Sequence, residues 1–131
     1  MLFSRILLVL LGLMFLSFGV AFLLRPAQMA QMVGIELPEP TARMEIRAFY
    51  GGLEIGLAVF LFVCAATGAW IKPGLLAAGL ACAGPALGRT VGLLLDGKPK
   101  SVIFTILAVE IGCAVVVALA LALEWRQSAN G

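Results

Sequence analysis

Ser101-Val102-Ile103-Phe104-Thr105-Ile106-Leu107-Ala108-Val109-Glu110-Ile111-Gly112-Cys113-Ala114-Val115-Val116-Val117-Ala118-Leu119-Ala120-Leu121-Ala122-Leu123-Glu124 carries a single charge, Glu110, before its closing glutamate. About 20 apolar residues wound as an α-helix cross roughly 30 Å of hydrocarbon, so this stretch reads as a transmembrane helix over 101–124. Working back along the chain, residues 3–24, 47–71 and 74–95 have the same character. The composition agrees: 63% of the 131 residues are hydrophobic and 12% are charged, whereas an ordinary soluble domain is about a quarter charged. The expected architecture is all-α, a four-transmembrane-helix antiparallel bundle occupying residues 1–131 as one integral membrane domain. This leaves no room for a separate soluble catalytic domain, and no basic run is present that would serve a nucleic-acid partner.

The first span is read as a retained helix rather than a signal peptide. Its apolar core, Ile6 to Leu24, exceeds the roughly 7–15 residues of a signal h-region, and no A-x-A site follows it. Between the first two spans, Arg25 to Met44 has room for a short interfacial helix. Pro26 would sit in its first turn, Met29, Met32 and Val33 on one face, and Gly34 at its end. Pro38 and Pro40 then interrupt the chain. The remaining connections, Lys72-Pro73 and Asp96-Gly97-Lys98-Pro99-Lys100, are short enough to force antiparallel hairpins. The N-terminus, the Lys72 turn and the C-terminus therefore share one side, with Trp70 and Trp125 at headgroup level. The cations Arg25, Arg43, Arg47, Lys98 and Lys100 fall on the other side, against Arg5, Lys72 and Arg126. This distribution favours a cytoplasmic long loop.

Three charges lie inside the spans. An ion there costs several kcal/mol unless it is compensated, which makes it a functional candidate. Glu54 is nine residues past Glu45, Glu110 nine past Ser101 and Arg89 seven before Asp96, all counted from the long-loop side. At about 1.5 Å per residue, these depths agree to within about one helical turn. A Glu54, Arg89, Glu110 cluster is thus expected, with Arg89 between two carboxylates. Arg47 and Tyr50 fall on a stripe with Glu54 at spacings of three and seven. They would extend the cluster towards the surface. Such a cluster serves as a pocket for a lipid or small apolar ligand, as a proton path, or as an ion network that fixes helix register.

Glycines repeat at every fourth residue in two spans, Gly52 and Gly56 in the second and Gly84, Gly88 and Gly92 in the third. Small residues at that spacing form strips where helices approach closely, within one bundle or between copies of a homo-oligomer. Pro85 is expected to bend the third span. The segments Leu53-Glu54-Ile55-Gly56-Leu57-Ala58-Val59 and Val109-Glu110-Ile111-Gly112-Cys113-Ala114-Val115 match well enough to raise an internal repeat of two helical hairpins. No histidine is present, which removes imidazole-based metal sites and the usual general base. Cys64, Cys82 and Cys113 form no C-x-x-C pair and read as apolar fillers. No metal, cofactor or catalytic set is expected.

The stretch Glu45-Ile46-Arg47-Ala48-Phe49-Tyr50-Gly51-Gly52-Leu53-Glu54, together with Leu24-Arg25-Pro26, Gly88-Arg89, Asp96-Gly97 and Glu110, resembles a bacterial family of four-helix membrane proteins, domain of unknown function 4345. The resemblance covers nearly the whole chain, and it is more distantly similar to the DoxX-like group, some of whose members are membrane subunits of quinone-linked oxidoreductases. It implies a multi-pass protein of the bacterial cytoplasmic membrane with a helper role beside a membrane-protein partner, and it transfers no site residues. Two functions are in contention: a non-enzymatic lipid or small-molecule binder or complex subunit, and a proton-coupled carrier or membrane-embedded enzyme that uses a protonated glutamate.

Overall fold

A computed structural model describes residues 1–130. Four of its helices are long and apolar enough to cross a membrane, at Leu2–Leu24, Pro40–Ala66, Ile71–Leu95 and Ser101–Ala129. We label the elements α1 (Leu2–Leu24), α2 (Pro26–Met32), α3 (Pro40–Ile46), α4 (Leu53–Ala66), α5 (Ile71–Leu95) and α6 (Ser101–Ala129), with a π-helical turn at Arg47–Gly52 joining α3 to α4. No strand occurs among the described residues. The protein is an all-helical, multi-pass membrane protein.

The short helix expected in the first loop is present as α2. Pro26 takes its first position, where a missing backbone donor costs nothing. It ends in a left-handed Gly34 (φ +85°), with the Gly34 amide donating to the Gln31 carbonyl and the Ile35 amide to the Ala30 carbonyl. That pair of bonds satisfies two carbonyls at the helix end, a Schellman termination.

Span boundaries move where proline was read as punctuation. The second span begins at Pro40, not at residue 47, because Glu39 is extended and Pro40 then occupies the first helical position. It ends at Ala66 instead of residue 71. The turn runs through Thr67–Trp70, not Lys72-Pro73, and Gly68 supplies its positive φ of +54°. Pro73 falls within the first turn of α5, where no intrahelical amide bond is lost. The fourth span continues past residue 124 to Ala129. Pro85 lies inside α5 and removes one ladder donor.

The helices associate as two hairpins, α1 with α4 and α5 with α6, and α5 is the main bridge between them through α1 and α4. The core at their junction contains Leu8, Leu11, Phe15, Leu61, Cys64, Leu75, Ala78 and Val117. These residues cluster towards the end where Met1, the Thr67–Trp70 turn and Ala129 meet. That end is tied by polar bonds: the Ser4 hydroxyl donates to Glu124 Oε1 at 2.5 Å, the Met1 amino group lies 3.1 Å from the same oxygen, and Lys72 Nζ donates to Ser128 Oγ at 2.6 Å. The expected shared side of the two termini and the second turn is therefore present. Towards the long-loop end coverage fades. Among the described residues none of α5 after Ala86 and none of α6 before Val117 is buried.

Candidate functional site

The three intramembrane charges lie in this thinly covered half. Arg89 on α5 donates through Nη1 to Glu110 Oε1 on α6, and the two side chains are 27% and 17% exposed. The second carboxylate oxygen, Glu110 Oε2, is buried and accepts no hydrogen bond. Glu54 on α4 is half-buried and close enough to Glu110 for their charges to interact. No ion pair to Glu54 occurs among the described residues. The expected bridge is therefore half made, since Arg89 binds Glu110 alone. The helix pairing accounts for this. Arg89 and Glu110 belong to the tightly packed α5/α6 hairpin, whereas Glu54 belongs to the other hairpin, whose α4 packs on α1 and, less extensively, α5.

Arg47 and Tyr50 do not join the cluster. An α-helix would put positions 47, 50 and 54 on one stripe, but the Arg47–Gly52 turn is π-helical, and the Leu53 amide reaches five residues back to the Ala48 carbonyl. The wider turn changes the angle between its side chains and those of α4. Arg47 Nε instead donates to the Leu23 carbonyl at 2.9 Å, satisfying one of the unpaired acceptors at the end of α1. The Tyr50 ring lies 5.0 Å from that of Phe22, also on α1. Both side chains thus serve the α1 contact rather than a polar track to Glu54.

The glycine strips also have a different place from the one expected. A Cβ added at Gly56, Gly84 or Gly88 would meet nothing within 4 Å, Gly52 would only just touch the Arg47 carbonyl, and Gly92 would meet Asp96 at 3.4 Å. None of these positions packs helices together within the bundle. The close approach is made by Gly19 and Gly51. A Cβ at Gly19 would come within 2.9 Å of the Gly51 carbonyl oxygen, and one at Gly51 within 3.2 Å of the Leu23 amide nitrogen. Gly51 lets the π turn press its backbone against α1, and glycines seven apart at 12 and 19 are the sequence signal for the matching face.

Two further residues of the site escaped the sequence reading. Cys82 on α5 and Cys113 on α6 are free thiols that lie near one another, with Glu110 and Glu54 in the same neighbourhood. Their separation in sequence concealed this pairing, although Cys113 lies one helical turn from Glu110 on the same helix face. Among the described residues no group of histidine, cysteine and carboxylate side chains is arranged to hold a metal.

Residues 3–121 match the family model of the Domain of unknown function (DUF4345). The chain belongs to this family. No curated protein and no solved structure matches it. Membership of the DUF4345 family agrees with four apolar helices and assigns no activity to the cluster at Glu54, Arg89 and Glu110.

Proposed function

We propose that this DUF4345 protein is a non-enzymatic membrane binder, taking the polar head of a lipid or small apolar molecule at Glu54, Arg89 and Glu110. The observation that carries this reading is Glu110 Oε2, a buried carboxylate oxygen without a donor. Leaving such an acceptor unsatisfied costs about 1–3 kcal/mol, more when it is charged. A hydroxyl, amine or amide N–H on a ligand would supply the missing bond. Arg89 already compensates Oε1, so the ligand need not be a full counter-ion. The thin coverage of α5 beyond Ala86 and of α6 before Val117 supports access from the long-loop half. Recruitment into a larger membrane complex is compatible with this role, the site then holding the shared ligand.

The test compares wild type with Glu110→Gln after mild detergent extraction, using native mass spectrometry and thermal melting. Wild type is expected to carry a co-purifying molecule with a hydrogen-bond donor, and Glu110→Gln to lose it while remaining folded. Equal retention by both proteins would overturn the reading. So would a wild type without any bound molecule, which would leave the Arg89–Glu110 pair as a purely structural tie.

A further inference from the structure

A second feature lies on the other hairpin, at the opposite end of the bundle. An apolar groove of about 370 Å³ runs along the outside of α1 and α4, walled by Ile6, Val9 and Leu10 on one side and Phe62, Ala65 and Ala66 on the other, with Arg5 at its mouth. Gly12 sets how closely the Phe62 wall lies against α1. A Cβ there would come within 2.6 Å of Phe62 Cε1, so glycine lets the ring settle against α1. At the mouth, Arg5 Nη2 reaches to 2.7 Å from the point where a Cβ on Gly68 would sit. Gly68 thus meets two demands, a left-handed backbone in the α4–α5 turn and space for the guanidinium.

The electrostatics of this end leave Arg5 available. Among the described residues Glu124 is its only acidic side chain, and it is already engaged by Ser4 and the Met1 amino group. Lys72 donates to Ser128. No carboxylate lies within ion-pair distance of Arg5 among the described residues. An apolar trough that ends in an unpaired, forked cation is complementary to one amphiphile above others, an acyl chain bearing an anionic phosphate head.

We propose that the α1/α4 groove is a binding site for an anionic phospholipid, with one acyl chain along Ile6, Val9, Leu10, Phe62, Ala65 and Ala66 and the phosphate held by Arg5. The site is separate from the cluster at Glu110 and independent of the binding role assigned to it. Arg5 selects the headgroup, and the Thr67–Trp70 turn sets the depth at which it does so. Trp70, half-exposed in that turn and packed near Phe60, is suited to the same headgroup layer.

The experiment is native mass spectrometry of the detergent-solubilised protein titrated with phosphatidylglycerol and phosphatidylcholine of equal chain length. Wild type is expected to retain one phosphatidylglycerol in preference to phosphatidylcholine by about fivefold, the scale set by one basic side chain acting on an anionic lipid. Arg5→Gln should bring the ratio close to one, whereas Lys72→Gln should leave it unchanged. Ala66→Phe should fill the groove and lower retention of both lipids. The proposal fails if wild type shows no preference, if Arg5→Gln keeps it, or if Lys72→Gln abolishes it. Should Arg5→Gln not accumulate as folded protein, Ala66→Phe decides alone, since undiminished retention of phosphatidylglycerol in that variant overturns the assignment.

Discussion

The two ends of the bundle are built from similar apolar helices and reach opposite outcomes. At the end shared by Met1, the Thr67–Trp70 turn and Ala129, side chains from all four spanning helices interlock and the buried polar side chains find partners: Glu124, 5% exposed, is held by Ser4 and the amino terminus. At the long-loop end, α5 and α6 bury almost nothing, Leu94 is 81% exposed, and Glu110 keeps an oxygen without a donor. A lipid bilayer tolerates exposed leucine on either end, so apolar surface does not distinguish them. Polar satisfaction does. The satisfied glutamate belongs to the packed end and the incompletely satisfied one to the open end. Buried polar groups left unpaired are rare enough to require an explanation, and the ligand proposed for Glu110 is one.

Substitutions that treat the two ends alike would break this contrast. Leu61→Ala, at a fully buried position, is expected to cost about 2–5 kcal/mol in reversible unfolding from mixed micelles, against roughly 0.5 kcal/mol or less for Leu94→Ala. Equal losses would mean that the long-loop half is packed as tightly as the other. Gly19→Ala places a methyl group against the Gly51 carbonyl and should cost about 1–3 kcal/mol, read as a lower melting temperature. Arg89→Ala leaves Glu110 without its partner. A fully buried ion pair broken this way costs about 3–5 kcal/mol, and the partial exposure of both side chains lowers the expected loss to about 1–2 kcal/mol. A larger loss would reassign the pair to holding the bundle together. Gly88→Ala sits in open space on a helix, so a change between none and a gain of about 1 kcal/mol is expected. If Gly88→Ala instead disrupts a dimer on size-exclusion chromatography, the third-span glycines pack between copies.

Much of the fold was legible in the residues. Hydropathy located four spans, and Pro26 with Gly34 located the short helix of the first loop, because both signals are local. The boundaries near Pro40 and Pro73 were misplaced for a physical reason: proline breaks a helix in its interior yet suits its first turn, and the apolar pattern alone does not separate these positions. The polar cluster was legible as a depth and not as a set of contacts. Glu54, Arg89 and Glu110 do lie in one half of the molecule, but counting residues along a helix yields height and says nothing about which carboxylate the guanidinium chooses.

Sequence was thus sufficient for membrane character, helix number, hairpin connectivity and the level of each intramembrane charge, since these follow from the cost of exposing backbone and ions to hydrocarbon. Tertiary structure decided how the hairpins associate, and with it the pairing of Arg89 with Glu110, the nearness of Cys82 to Cys113 and the place where backbones touch. Those outcomes depend on helix rotation and on one π-helical turn at Arg47–Gly52. An extra residue in a single turn redirects Arg47 and Tyr50 towards α1 while leaving the hydropathy of the span unaltered.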